Sequence, residues 1–238
     1  MRTKQWLPFY PAALLALWLA TTTLYGQEKS VAPGINKPFQ KPDVAEFQGK
    51  FEKDGREAFD HRDKIVAACQ IRAGMSVADV GAGTGLFTRK FAPLVGEKGQ
   101  VFAVDISKEF VDHIEQTARK ENLKNIRGVV CKPDSVELPE SSVDLVFICD
   151  TYHHFEFPHK TMQSIHKALK PGGRVVLIDF QRIAGKSTDW VMSHVRAGQD
   201  VFEKEITECG FKRIGEVKDL LKENYLVVFE KVDQEKPK

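Results

Sequence analysis

The chain has 238 residues, 42% of them hydrophobic and 29% charged, with 35 Lys and Arg against 33 Asp and Glu. That length holds one sizeable α/β domain and excludes two full ones, and the hydrophobic share excludes a disordered chain. A net charge of +2 gives no strong field for nucleic acid, so no nucleic-acid partner is expected.

Residues 1–26 open with Arg2 and Lys4 and continue into LPFYPAALLALWLATTTLY, a run without charge. This is the basic-then-apolar layout of a secretory signal, with polar residues beginning after Gly26. The run at residues 7–25 also approaches the roughly 20 residues that span a bilayer, so an uncleaved membrane anchor is the alternative. In both readings the positive end stays inside and the following domain is exported, periplasmic or otherwise extracytoplasmic. A cytoplasmic amphipathic helix is a third reading, against which Pro8 and Pro11 argue. Residues 27–54 carry three prolines at 33, 38 and 42 and read as a linker or irregular arm. Phe39, Val44 and Phe47 are its candidates for packing onto the main domain.

Residues 55–232 alternate between helical and strand patterns, followed by a polar tail at 233–238. Residues 56–71 place Ala58, Phe59, Ile65, Val66 and Cys69 at helical spacing. SVADV (76–80) is a short apolar strand running into a glycine cluster. Residues 86–95 read as a helix closed by Gly96. VFAVD (101–105) is the second strand, and Ser107 is a good N-cap for the helix that carries Phe110, Ile114 and Ala118. Residues 126–131 form a third strand. VDLVFIC (143–149), almost wholly apolar, suits the centre of a parallel sheet covered on both faces. A helix over 158–169 stops at LKPGG, and RVVLIDF (174–180) is the fifth strand. After a helix over 198–209, FKRIGEVKD and NYLVVFEK (224–231) close the chain as two strands without a helix between them, hence antiparallel to each other. The sum is an α/β, doubly wound, mostly parallel sheet of about seven strands.

Three motifs carry chemistry. In VADVGAGTG (77–85) a buried strand ends at Asp79, and Gly81, Gly83 and Gly85 follow at alternate positions. Glycines let the backbone turn sharply and approach a ligand, and the next helix begins there with free N–H groups. The spacing is G-x-G-x-G rather than the dinucleotide G-x-G-x-x-G, which makes a nicotinamide-dependent dehydrogenase a remote reading. Asp105 ends the next strand 20 residues after Gly85, where a carboxylate can accept both hydroxyls of a ribose. DTYHHFEFP (150–158) follows the fourth strand, the place where an open α/β sheet binds its second ligand. Tyr152, His153 and His154 are the candidate catalytic residues there, with His153 or His154 as a general base. Packing or capping is the competing role for either histidine. No metal site is expected, because adjacent histidines on one loop need further ligands and the sequence indicates none. None of the four cysteines, Cys69, Cys131, Cys149 and Cys209, forms a C-x-x-C pair.

VADVGAGTG, VFAVD, the stretch from Asp134 to Leu138 and Pro139, VDLVF and LKPGGRVVLIDF resemble the consecutive motifs of class I S-adenosylmethionine-dependent methyltransferases. The resemblance covers residues 56–231 and implies a seven-stranded sheet whose last strand is reversed. It implies S-adenosyl-L-methionine as cofactor, with Asp79, Gly81, Gly83 and Gly85 lining its methionine and ribose portion. Asp105 would hold the ribose hydroxyls, Ile106 would pack on the adenine, and Asp134 would accept from the adenine amino group. Cys149 and Asp150 would border the methionine moiety and the acceptor. Residues 181–197, with Arg182, Trp190, His194 and Arg196, would cap an acceptor pocket or form a surface loop and helix. No N/D-P-P-Y tetrapeptide follows the fourth strand, which argues against DNA or protein glutamine as acceptor. The expected partner is a small-molecule or lipid-like methyl acceptor, with membrane association through the N-terminal segment. A catalytically idle cofactor-binding module at the membrane or in the periplasm is the rival reading.

Overall fold

The computed structural model describes residues 28–232. The signal or anchor read at 1–26 and the tail at 233–238 lie outside the described residues. Eight helices are assigned there: α1 (Val44–Phe51), α2 (Glu57–Asp60), α3 (Arg62–Ala68), α4 (Leu86–Val95), α5 (Lys108–Lys120), α6 (Pro158–Ala168), α7 (Asp189–His194) and α8 (Gln199–Glu208). Seven strands form one sheet: β1 (Ser76–Val80), β2 (Gln100–Asp105), β3 (Ile126–Val130), β4 (Val143–Cys149), β5 (Leu169–Phe180), β6 (Phe211–Glu216) and β7 (Asn224–Lys231). Their order is β3-β2-β1-β4-β5-β7-β6. β3, β2, β1, β4 and β5 pair in parallel, while β7 runs antiparallel to both β5 and β6. This is the expected sheet, with its last strand reversed and lodged one place in from the edge.

Side-chain alternation explains why residues 145–149 of β4 and 175–178 of β5 are all apolar. Val146, Ile148, Val175 and Leu177 belong to the core on one face, with Met162 and Ile165 of α6 and Phe202 and Ile206 of α8. Their neighbours Leu145, Phe147, Val176 and Ile178 belong to the opposite core, with Ile65 of α3 and Phe87 and Phe91 of α4. A strand covered on both faces has no position left for a polar side chain until it reaches the sheet's edge. The parallel strands therefore bring their polar groups to their carboxyl ends.

Several boundaries differ from the sequence reading. The helix read at 56–71 is broken at His61 into α2 and α3. The break lets the Glu57 carboxylate accept the backbone N–H groups of Lys222, Glu223 and Asn224, the last two at 2.9 Å, and so tie α2 to the start of β7. β5 begins at Leu169, which pairs with Val143 before a register shift restores the ladder at Leu145 and Arg174. β3 ends at Val130, one residue early. The arm is not irregular throughout: Asp43 accepts from the N–H groups of Ala45 and Glu46 and starts α1. Phe47 of α1 then meets Phe110 of α5 edge-on at 5.5 Å. Ser107 caps α5 as expected, accepting from Phe110 N. Among the described residues no helix is long and apolar enough to cross a membrane.

Phe147 anchors the second core from the middle of β4, with ring centroids 4.7 Å from Phe87 and 5.1 Å from Phe91. Phe147→Ala is expected to cost about 3–5 kcal/mol of unfolding free energy. Urea denaturation followed by fluorescence and circular dichroism measures this, and a loss below about 1 kcal/mol would mean that the site collapses onto the gap.

Candidate active site

The carboxyl ends of β1, β2, β4 and β5 open onto one cavity of about 1020 Å³. Ligand pockets commonly hold about 300–1,000 Å³, so there is room for a nucleoside-sized cofactor and a second molecule. Its floor is the glycine loop. Gly81 has φ +75°, and a Cβ there would lie 2.2 Å from Cγ2 of Thr151. Gly85 has φ +82°, and its Cβ would lie 2.7 Å from Cγ1 of Ile114. Each position therefore needs glycine both for its left-handed backbone and for the close approach. Gly83 lies under the ring of Phe51 from α1.

Two carboxylates face this loop. Asp79 is buried, and its Oδ2 accepts from the Thr88 hydroxyl at 2.6 Å. Burial pushes its pKa up to about 7, against the opposing pull of the Thr88 hydrogen bonds. Asp105 accepts from Gly83 N at 2.9 Å and from Ser107 N at 2.8 Å. Burial raises it to about 6 while these backbone donors pull it down. Both groups thus sit where the protein supplies fewer donors than an ionised carboxylate requires. Ile106 and Cys149 line the same cavity, and burial holds the Cys149 thiol well above its ordinary value. Asp150 also lines it, but its two oxygens are engaged by Arg56 at 2.6 Å and by Asn224 at 2.6 Å. Asp134 is not brought into the cavity wall. Its neighbours Pro133 and Ser135 are, while its half-exposed carboxylate lies 3.5 Å from Lys160.

The far end of the cavity is built by the 3-10 turn Tyr152–His154 and by α7. The turn divides its three residues. Tyr152, read from sequence as a catalytic candidate, is fully buried away from the cavity, its ring 5.0 Å from both Phe155 and Phe202. The tight turn sends successive side chains in different directions, and this one completes the core beneath α8. His153 and His154 face the cavity. The Asp179 carboxylate at the end of β5 accepts from His153 N at 3.1 Å and stands 2.8 Å from its Nδ1. His154 Nε2 is 3.3 Å from Nε2 of His194. Burial, then the rings of His153 and His194, push His154 down to about 2, so it is neutral and a weak proton acceptor. Trp190 stacks on His194 at 4.6 Å and meets Phe180 edge-on at 5.4 Å. Of the four residues read as a cap, Trp190 and His194 join the cavity. Arg196 instead pairs with Glu205 at 2.6 and 2.8 Å, and Arg182 donates to the Met192 carbonyl.

Sequence reasoning assigned no role to Asp179, Arg56, Glu52 or Phe51. Asp179 had a usable signal, as the acid ending an otherwise apolar central strand. Phe51 follows Val44 and Phe47 at helical spacing in α1, whereas Glu52 and Arg56, between α1 and α2, carry no such signal. Glu52 accepts from the Thr84 hydroxyl and from Arg89, both at 2.7 Å, and so fastens the end of α1 across the glycine loop.

A protein-family model described as "Methyltransferase domain" matches residues 71–235. Over 120 residues the sequence is 32% identical to the ubiquinone/menaquinone biosynthesis C-methyltransferase UbiE of Pseudoalteromonas translucida, covering 50% of this chain and 48% of that protein. The chain spans about half the length of the relatives of this kind that it matches. The crystal structure of a SAM dependent methyltransferase from Aquifex aeolicus is similar with a TM-score of 0.71 and 25% identity, covering 81% of this chain and 100% of that one. The [4+2]-cyclase SpnF shares the fold with a TM-score of 0.65 at 15% identity, over 83% of this chain and 93% of that one.

The raised pKa of Asp79 has a consequence for stability. A folded-state carboxyl at about 7 holds its proton where the unfolded chain, at about 3.9, has lost it. Folding stability therefore falls as pH rises from about 4 through 7. Asp79→Asn keeps an acceptor for Thr88 and removes the charge. Without cofactor, the variant is expected to melt above the wild type at pH 8 by about 2–4 °C for each kcal/mol recovered, with the gain fading towards pH 4. Calorimetry at both pH values checks this, and a gain independent of pH would remove the titration of Asp79 as its cause.

Proposed function

The chain belongs to the methyltransferase-domain family, and from that premise we propose that its methyl acceptor is a small hydroxylated aromatic or quinol-type molecule held against the histidine turn. The enzyme is an S-adenosylmethionine-dependent methyltransferase with a small-molecule acceptor. The observation that carries the finer reading is the far end of the cavity. Phe39, Phe180 and Trp190 wall it with aromatic surface, and His153, His154 and His194 are the polar groups set among them. Flat rings stack on such walls, and a ring hydroxyl finds its partners in the imidazoles. The relatives named for ubiquinone and menaquinone biosynthesis support the same class.

The cofactor fits the near end. Asp79 and Asp105 are buried with too few donors, a deficit that the hydroxyls of a ribose and the ammonium of a methionine moiety make up. When bound, S-adenosylmethionine supplies an electrophilic methyl group on a positively charged sulfur. Asp105 and the glycine loop orient the sugar, and Asp79 steadies the loop through Thr88. α1 and α7 cover the two ends of the cavity and keep water from competing for the methyl group. Alignment in line with the breaking bond is the chief contribution of such a site. An acceptor hydroxyl facing the histidine turn gives up its proton to water.

We also propose that residues 7–25 export or anchor the domain, so that it works outside the cytoplasm. The basic flank and the uncharged run support this.

Three measurements test these statements. S-adenosylmethionine and its demethylated product are expected to bind and NAD is not, and Asp105→Ala is expected to weaken binding by about 1–3 kcal/mol. Calorimetry decides this, and unchanged affinity in a folded variant would remove Asp105 as the ribose ligand. Labelled S-adenosylmethionine offered with panels of hydroxylated aromatics, amines and carboxylic acids is expected to label the first panel. Labelling confined to the others would overturn the acceptor class. A fusion of residues 1–40 to a reporter active only outside the cytoplasm is expected to be active, and a soluble cytoplasmic fusion would reject export.

A further inference from the structure

We propose that His153, His154 and His194 form a binding site for one divalent transition metal of the zinc type, whose remaining coordination position takes the ionisable hydroxyl or thiol of the methyl acceptor. This rests on the reading of the cavity as a methyl-transfer site, and it deepens that reading by saying how the acceptor is held and ionised.

The residues come from two separate elements. His153 and His154 lie on the turn after β4, and His194 ends α7, 40 residues further on from His154. Among the described residues they are the group of three or more His, Cys, Asp or Glu donors gathered closely enough to hold a metal ion, with one ligating atom per residue and all within 4.8 Å of one another. Nε2 of His154 and Nε2 of His194 are 3.3 Å apart. Zinc–nitrogen bonds of about 2.0–2.1 Å at a tetrahedral angle place two ligand nitrogens about 3.3 Å apart. The separation is therefore the one a shared ion requires. The ligating nitrogen of His153 lies within 4.8 Å of the other two.

The surroundings match a metal site as well. Asp179 stands 2.8 Å from Nδ1 of His153, leaving Nε2 as the ligating atom. A carboxylate behind the distal nitrogen fixes the tautomer and the ring plane of metal-bound histidines. Trp190 stacks on the His194 ring at 4.6 Å and Phe39 meets the His154 ring edge-on at 5.1 Å, so both rings are held by aromatic contacts. Three imidazoles suit zinc and its neighbours in the first transition row, and three protein ligands leave a position for a substrate atom.

The chemistry balances without an oxidant or reductant. An acceptor hydroxyl or thiol that coordinates the ion loses its proton to water, because the cation stabilises the conjugate base. The coordinated oxygen or sulfur anion, or for a phenolate the ring carbon next to it, attacks the methyl carbon of the cofactor. The carbon–sulfur bond breaks with its electron pair on sulfur, the sulfonium becomes a neutral thioether, and the methylated acceptor leaves the ion. When the attacking atom is a ring carbon, that carbon also releases its proton to water. The charge of the metal does not change.

Cobalt(II) serves as a spectroscopic probe and zinc as the competing ion. The full-length chain, produced without an added histidine tag, is titrated with each ion and assayed separately for S-adenosylmethionine binding. One equivalent of cobalt with the intense visible absorption of a four-coordinate site is expected, displaced by one equivalent of zinc. His194→Ala, a change at a partly exposed position on a short helix, is expected to abolish the absorption while S-adenosylmethionine affinity persists. Asp179→Asn is expected to lower zinc affinity about 10–100-fold while leaving one equivalent bindable. Absence of stoichiometric cobalt binding, or an equal spectrum from His194→Ala, would overturn the metal site. Methyl transfer persisting at full rate in chelator-treated protein shown to be metal-free would overturn the ionising role. Neither result touches the assignment of the cavity to methyl transfer, which fails instead if the chain binds no S-adenosylmethionine.

Discussion

Asp79, Asp105, Asp150 and Asp179 lie along one edge of the parallel sheet, at or just beyond the ends of β1, β2, β4 and β5. Strands covered on both faces can carry polar side chains only where they emerge, and here the side chains that emerge are acids in a site closed by helices. A buried carboxylate is costly unless it is given donors or a cation. Much of the local architecture supplies them. Thr88 on α4 reaches back to Asp79, and the glycine loop turns its N–H group onto Asp105. Arg56 and Asn224 close on Asp150, and His153 closes on Asp179. The loop, the histidine turn and the start of β7 are thus positioned by one electrostatic requirement repeated along the row. The protein meets it incompletely at Asp79 and Asp105, whose burial raises them to about 7 and about 6.

The parts of the fold most legible in the sequence are those set by alternation and glycine. VDLVFIC reads as a central parallel strand because its apolar positions face a core, and the structure divides Leu145 to Cys149 between two cores in strict turn. Asp79, Gly81, Gly83 and Asp105 fall together because a fixed strand–loop–strand geometry links them. Tyr152 parts from His153 and His154 because a single turn of 3-10 helix sends adjacent residues to unlike environments, and sequence adjacency suggests the opposite. Asp134 lies close to the expected wall but turns outward to Lys160. The partnership of Asp179 with His153, and that of His154 with His194, depend on the meeting of segments 26 and 40 residues apart. No local pattern records such a meeting. The arm was hardest to read, since three prolines conceal a capped helix whose Phe47 and Phe51 gain their meaning from Phe110 across the gap.

The likeness to SpnF, a [4+2]-cyclase, shows that this fold does not by itself dictate the reaction. What distinguishes this chain is what lies opposite the loop. Three imidazoles within a few ångströms, one backed by a carboxylate and another stacked under an indole, form a polar island in an aromatic pocket. Burial holds His154 far below the range where it would carry a proton. Such a group is better suited to donating lone pairs than to exchanging protons.

The contact between Gly81 and Thr151 separates the pocket into a part that can diverge and a part that cannot. With the Thr151 side chain occupying the volume that a Cβ at position 81 would need, the cofactor loop and the histidine turn share a boundary with no spare thickness. Enlarging either side displaces the other, so substitutions that remodel the acceptor end from this direction would disturb the cofactor end at the same time. The opposite walls carry no such coupling. Phe39 belongs to the arm and Trp190 to a helix of six residues, and both are reached by chain segments that tolerate insertion and deletion more readily than a parallel sheet does. A lineage seeking new acceptors from this scaffold would therefore change its arm and its cap first, and two homologues could differ in substrate while remaining nearly superimposable from β1 to the histidine turn.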